Sequence, residues 1–217
     1  MFKPTKQKIL AYAIFLGLGL ILIQIPFTAL VGAKARFNMF DFFAPIIGGF
    51  LGSIPGALSV LSIQLFNWAI HGFDISLPTL IRFLPILAAT LYFSRKSFLQ
   101  LAIAPICILA FLAHPEGRGA AVFTLYWFIP IAMYFLQNKF VLARALGATF
   151  TAHAVGGALW IWAFNMKSAL WLSLLPIVWK ERGLMALGIT LGYLAFKWLL
   201  ERDAVRAHLK LVITPHA

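Results

Sequence analysis

Polar side chains set inside long apolar runs are where this sequence could do chemistry. Gln64, Asn67 and His71 fall at i, i+3 and i+7, which is one face of a helix. Asp74 follows in a loop, and Arg82 stands about one turn into the next apolar run. His114, Glu116 and Arg118 share a later loop. His153 lies in the middle of another apolar run, among Thr149, Gly156 and Gly157, and Glu181 lies inside the last run. Polar groups at membrane depth are costly and mark either function or pairing between helices. With aromatic neighbours they suit a small-molecule pocket, which combines apolar walls with a few placed polar groups. The candidate substrate-binding residues are therefore Asn67, His71, Arg82, Trp127, His153 and Glu181. Each has a plainer reading. Tryptophans gather at membrane interfaces in any case. Arg82 could pair with Asp74 or Glu181, Glu181 and Arg182 could form a local surface pair, and His153 could simply join two helices.

Catalytic signatures are missing from the sequence. It has no Gly-x-Ser-x-Gly elbow, no His-Glu-x-x-His and no P-loop lysine motif. Acidic pairs at helical spacing do not occur deep in a span, and the single cysteine, Cys107, excludes an internal disulfide and a multi-cysteine metal site. The expectation is a protein without catalytic activity, metal or cofactor, and without a nucleotide site of its own.

The elements that must position these residues follow from composition. The 217 residues are 62% hydrophobic and only 11% charged, with a mean hydropathy of +0.93. Soluble domains carry about 25% charged residues, so a soluble enzyme, a disordered tail and a coiled coil are excluded. The net charge of +12 would suggest nucleic acid on a soluble domain. Here the cations are scattered singly, as in the cytoplasmic loops of membrane proteins, and no nucleic-acid partner is expected.

Apolar runs place membrane segments at about 9–31, 42–51, 56–73, 78–94, 98–113, 120–137, 145–164 and 176–200, in one membrane domain covering 1–217. The first run is too long for a signal-peptide core, so it reads as a retained span. The stretch 42–73 is either one kinked span or a helical hairpin turning at Gly52-Ser53-Ile54-Pro55-Gly56. The hairpin puts Lys3, Lys6, Lys8, Arg95, Lys96, Lys139, Arg144, Arg202, Arg206 and Lys210 on one side. It leaves only Lys34, Arg36, Arg118 and Lys167 on the other. The positive-inside rule favours that arrangement. The expected architecture is an all-α polytopic bundle of six to eight membrane segments in a bacterial or archaeal cytoplasmic membrane, with both termini cytoplasmic. Pro85, Pro105, Pro130 and Pro176 interrupt four spans and are expected to kink them. Small residues allow close approach of helices in lipid. Ala13 with Gly17, and the ladder Ala148, Ala152 and Gly156, are candidate docking faces for another membrane subunit, with packing inside the bundle as the alternative.

The run from Arg36 to Ala57, containing Phe42-Phe43-Ala44-Pro45-Ile46-Ile47-Gly48-Gly49 and the turn Gly52-Ser53-Ile54-Pro55-Gly56, resembles the substrate-binding S components of energy-coupling factor (ECF) vitamin transporters. Leu174-Leu175-Pro176-Ile177-Val178 is similar to their final loop-to-helix transition. Those proteins usually have six helices and an Ala-x-x-x-Ala contact on the first, where this chain has Ala13-x-x-x-Gly17. The resemblance implies a non-enzymatic subunit that captures a small nutrient or vitamin from outside. A transmembrane coupling subunit and an ATPase pair would drive its release inside. Two other readings stand beside it: a structural or assembly protein of the inner membrane similar to the cell-shape MreD class, and an intramembrane enzyme or lipid-handling protein.

Overall fold

The computed structural model describes residues 6–29 and 36–202. The positions Lys3, Lys34, Arg206 and Lys210, which entered the charge argument, lie outside them. The described chain is all-α apart from one two-stranded sheet. Its helices are α1 (Lys6–Leu22), α2 (Met39–Leu51), α3 (Ser53–Ile70), α4 (Leu77–Ser94), α5 (Leu99–Ala113), α6 (Pro115–Gly119), α7 (Ile129–Leu136), α8 (Val141–Phe164) and α9 (Ser168–Glu201). A 3-10 helix, Ala121–Phe128, leads into α7. Three of these, α3, α4 and α9, are long and apolar enough to cross a membrane, and α1, α2, α5 and the Ala121–Leu136 stretch are shorter apolar helices. Large apolar side chains such as Ile54, Leu109, Leu125, Phe135, Trp179 and Leu191 point outward and are exposed. Such a continuous apolar exterior suits lipid rather than water.

The first helix is shorter than its apolar run. It ends at Leu22, and β1 (Pro26–Ala29) pairs antiparallel with β2 (Arg36–Asn38). The reason is Pro26, which lacks a donor and pushes Ile25 out of the helical region. The β2 strand leads directly into α2, whose first turn is closed by Asn38 donating its backbone N–H to the Asp41 carboxylate at 2.7 Å.

α2 and α3 form a hairpin about Gly52, whose φ of +88° and ψ of 179° define a backbone region open almost only to glycine. The two helices leave the turn nearly in contact, since a Cβ on Gly56 would lie 2.6 Å from the Gly48 Cα. α2 is the central element, with every residue from Phe42 to Gly48 buried. It packs on α4, α3 and α9, and α4 packs along α8 in the most extensive helix pair.

Pro45, Pro85, Pro105 and Pro176 stand inside helices, whereas Pro130 sits at the start of α7. There its missing donor is harmless, because the first N–H groups of a helix have no intrahelical partner. The 120–137 run is therefore a 3-10 helix joined to a short α-helix rather than one kinked span. α9 starts at Ser168, eight residues before the expected 176. Its 34 residues extend about 51 Å.

Two apolar clusters fill the bundle. One joins α1, α2, α3, α4, α8 and α9 through Phe15, Phe40, Ile47, Ile63, Tyr92, Ala148 and Ile189. The other joins α5, the 3-10 helix, α8 and α9 through Phe111, Phe123, Trp127, Phe150 and Trp171.

Candidate functional site

A cavity of about 160 Å³ lies where the two clusters meet. α2 contributes Asp41 and Pro45, and α4 contributes Arg82, Pro85, Ile86 and Ala89. α8 adds Thr149, Ala152, His153, Gly156, Gly157 and Trp160, and α9 adds the face Trp171, Leu174, Val178, Arg182, Met185 and Ile189, with Glu181 beside it. Phe37 from β2 and Met166 from the α8–α9 turn complete the wall. Most of the lining is apolar, and its charged groups are two guanidinium and two carboxylate side chains.

Each polar group is held from behind. The Trp127 indole N–H donates to His153 Nδ1 at 3.1 Å. An indole nitrogen can only donate, so Nδ1 accepts and the imidazole carries its hydrogen on Nε2. Trp127 is fully buried and is itself clamped edge-on by Phe111, with centroids 5.0 Å apart. Arg182 is only 6% exposed. Its guanidinium lies 4.9 Å over the Phe37 ring, and a nitrogen stands 4.0 Å from a Glu181 oxygen. Trp171 is 4% exposed and meets Phe111 and Phe123 edge to face at 5.1 and 5.0 Å. Two buried donors on this lining, Trp171 Nε1 and Arg182 Nε, have no hydrogen-bond partner among the described residues. An unpaired buried donor is unfavourable. Among the described residues, no three of His, Cys, Asp and Glu gather as a metal site.

Of the residues singled out from sequence, Arg82, His153 and Glu181 line the cavity, and Trp127 touches it through His153. Asn67 and His71 do not line it. Asn67 accepts a 2.6 Å bond from the Gln24 side chain, and the exposed His71 contacts the Asn67 carbonyl at 2.8 Å. Their stripe ties the end of α3 to the end of α1. The α8 ladder faces inward, because Ala148 is fully buried and Ala152 and Gly156 line the cavity. It is thus not a surface for a partner. Ala13 and Gly17 are exposed, and a Cβ on Gly17 would meet nothing within 4 Å among the described residues.

Asp41 and Arg182 are the site residues that sequence reasoning missed. The signal for Arg182 was the spacing of Trp171, Leu174, Val178, Arg182, Met185 and Ile189, which is one helical face and places the arginine inward. For Asp41 it was the Asn38-x-x-Asp41 spacing of a helix start.

The remaining polar cluster is structural. The Glu116 carboxylate accepts from the Ser168 N–H and hydroxyl, both at 2.8 Å, and pairs with Lys167 at 3.0 Å. These contacts lower its pKa from 4.5 to about 2, the Ser168 backbone bond contributing most, then the Ser168 hydroxyl and Lys167. They fasten α6 to the start of α9. Asp74 is held below the usual carboxylate range in the same way, by the Ser76 and Thr79 hydroxyls.

No family model matches this chain, and neither a characterised protein nor a solved structure matches it. Its class is therefore defined by its own features: an all-α protein of apolar exterior, with helices fit to cross a membrane and a half-open, partly polar cavity among them.

Proposed function

We propose that this protein is the membrane-embedded, substrate-binding subunit of an ECF-type uptake transporter. In this reading it has eight membrane segments, both termini are cytoplasmic, and the cavity loads from outside. It has no catalytic role. The observation that carries the reading is the cavity between α2, α4, α8 and α9, with Arg82, His153, Glu181, Arg182 and Asp41 on an otherwise apolar wall. Two further features support it. The Ala13–Gly17 face of α1, uncovered among the described residues, suits close packing by a coupling subunit. Arg95, Lys96, Lys139, Arg144 and Lys197 gather around one depression formed by the α4–α5 and α7–α8 turns and α9, as the positive-inside rule requires of a cytoplasmic end.

The test is purification of the full chain from its own cells in mild detergent, with mass spectrometry of what accompanies it. A membrane coupling subunit, an ATPase pair and a stoichiometric small metabolite are the expected companions. Cell-wall or cytoskeletal proteins with no metabolite would overturn the proposal and favour a structural role.

A further inference from the structure

We infer that the depression at the α4–α5 and α7–α8 turns is a seat for the phosphate of an anionic phospholipid headgroup. This is independent of the binding-subunit reading and needs only a chain embedded in lipid.

Charge is the first observation. Arg95, Lys96, Lys139, Arg144 and Lys197 line one depression of about 420 Å³, and among the described residues no carboxylate lines it. The cations come from the α4–α5 turn, the α7–α8 turn, α8 and α9, so packing brings them together and not a run in the sequence. Among the described residues no carboxylate pairs with Arg95, Lys96, Lys139 or Arg144, and Glu201 reaches only Lys197, at 3.9 Å. The positive-inside rule accounts for cations at one end of a membrane protein. It does not account for their meeting in one concave place without counter-charge. Gathered cations repel one another, and an anion in their midst reverses the sign of that interaction.

The backbone supplies the second observation. α8 begins at Val141, and its cap residue Phe140 offers no side-chain acceptor to the first N–H groups, which have no intrahelical partner. The first turn holds no acid, and Arg144 stands at the fourth position, toward the end where the helix dipole disfavours a cation. Both features become favourable with an anion at this end, since helix N-termini and arginines each bind phosphate. Phe140 and Val141 line the depression, so the helix start and the cation cluster coincide. Arg144 is fixed there: its guanidinium donates to the Ser94 carbonyl and lies 4.6 Å over the Phe93 ring. Arg95, Lys96 and Lys139 are exposed.

The surroundings name the source of the phosphate. Phe135, Leu136, Phe140 and Leu142 flank the depression along the chain and are all exposed, a surface that acyl chains cover. Free phosphate would use the charges alone. A lipid uses both, with its headgroup on the cations and its chains on the apolar face. A zwitterionic headgroup carries its own ammonium, which the five cations repel.

The experiment uses the full chain in mild detergent and calorimetric titration with dioctanoyl phosphatidylglycerol, dioctanoyl phosphatidylcholine and inorganic phosphate. Phosphatidylglycerol should bind at least about tenfold more tightly than either of the others. Raising the salt from about 0.1 to 1 M shortens the screening length from about 10 to 3 Å and should remove most of that margin. Lys139→Gln should weaken phosphatidylglycerol about fivefold, the share of one cation. Lys180→Gln makes the same charge change on α9, about 26 Å from Lys197 and outside the depression, and should leave the affinity unchanged. Both lysines are exposed, so both variants should keep the native melting temperature. Equal affinity for the two lipids overturns the inference, as does an equal loss in the two variants or no loss in Lys139→Gln. Inorganic phosphate binding as tightly as phosphatidylglycerol overturns the lipid assignment and makes a free anion the occupant.

Discussion

Gly156 and Gly157 are adjacent on α8, yet the structure predicts opposite outcomes for the same substitution. A Cβ on Gly157 would lie 2.6 Å from Trp127 Cζ2 and 3.2 Å from Cη2. Ordinary contact begins at 3.4 Å, so the indole must retreat by about 0.8 Å in a fully packed interior. Trp127 is fully buried against Phe111 and Phe123 and gives its N–H to His153 at 3.1 Å, so it has nowhere to go without losing a contact. Overpacking of this kind costs about 1–3 kcal/mol. At about 2–4 °C per kcal/mol for a chain of this size, Gly157→Ala should lower the melting temperature by about 2–12 °C. It should also shift His153. By contrast, among the described residues a Cβ on Gly156 would meet only Pro85 Cγ, at 3.6 Å. Gly156→Ala removes a helix-interior glycine, worth about 1 kcal/mol in propensity, and should leave the melting temperature unchanged or raise it slightly. Tryptophan fluorescence melts of the two variants in one detergent give the comparison. A Gly157→Ala protein as stable as the native chain, or a Gly156→Ala protein equally destabilised, would refute the packing argument.

Gly52→Ala forces a side chain into a backbone region that glycine alone adopts, so it should destabilise the α2–α3 hairpin by about 1–3 kcal/mol, visible as a lower melting temperature. Glu116 has a depressed pKa, so its anchoring of α9 is fully present above pH 4.5 and is lost as pH falls through about 2. Protection of the amides at the start of α9, taken relative to the intrinsic exchange rate at each pH, should fall across that window in the native chain, and Glu116→Gln should flatten it; a native protection profile flat from pH 4.5 to 2 would contradict the assignment. Among the described residues, Asn67→Ala breaks only the link to Gln24. It should leave ligand affinity within about twofold while Arg182→Gln, on the cavity wall, lowers it by about tenfold or more, both read by titration. Equal effects of the two would place the ligand elsewhere.

Much of the architecture was already written in local chemistry. Composition alone points to membrane helices, because so few charges cannot cover a water-facing surface. The helix turn at Gly52 follows from a Gly-Ser-Ile-Pro-Gly stretch, and the last residues of α4, α5 and α8 fall where polar or turn-forming residues interrupt the apolar runs. Pro26 is a local signal too, although the apolar run around it hides the end of α1. Proline alone does not give the helix path: Pro130 begins a helix while Pro176 lies within one, and the difference is set by what surrounds each.

The site was only partly legible, for a geometric reason. Sequence supplies helical faces, so it can say that Gln64, Asn67 and His71 point one way and that Ala148, Ala152 and Gly156 share another. It does not say what each face meets. Only the packing of α8 on α4 turns the small-residue ladder inward and makes it a cavity wall, and only the approach of α3 to the end of α1 commits Asn67 to Gln24. Glu181 and Arg182 look alike as neighbours in a chain. The rotation of about 100° per residue puts one at the rim and the other under Phe37, with 6% of its surface left exposed. Residue type and period thus determine which groups must be sheltered from lipid, a matter of solvation and local sterics. Which of them converge on one cavity is decided by contacts between segments far apart in the chain, and those exist only once the helices have packed.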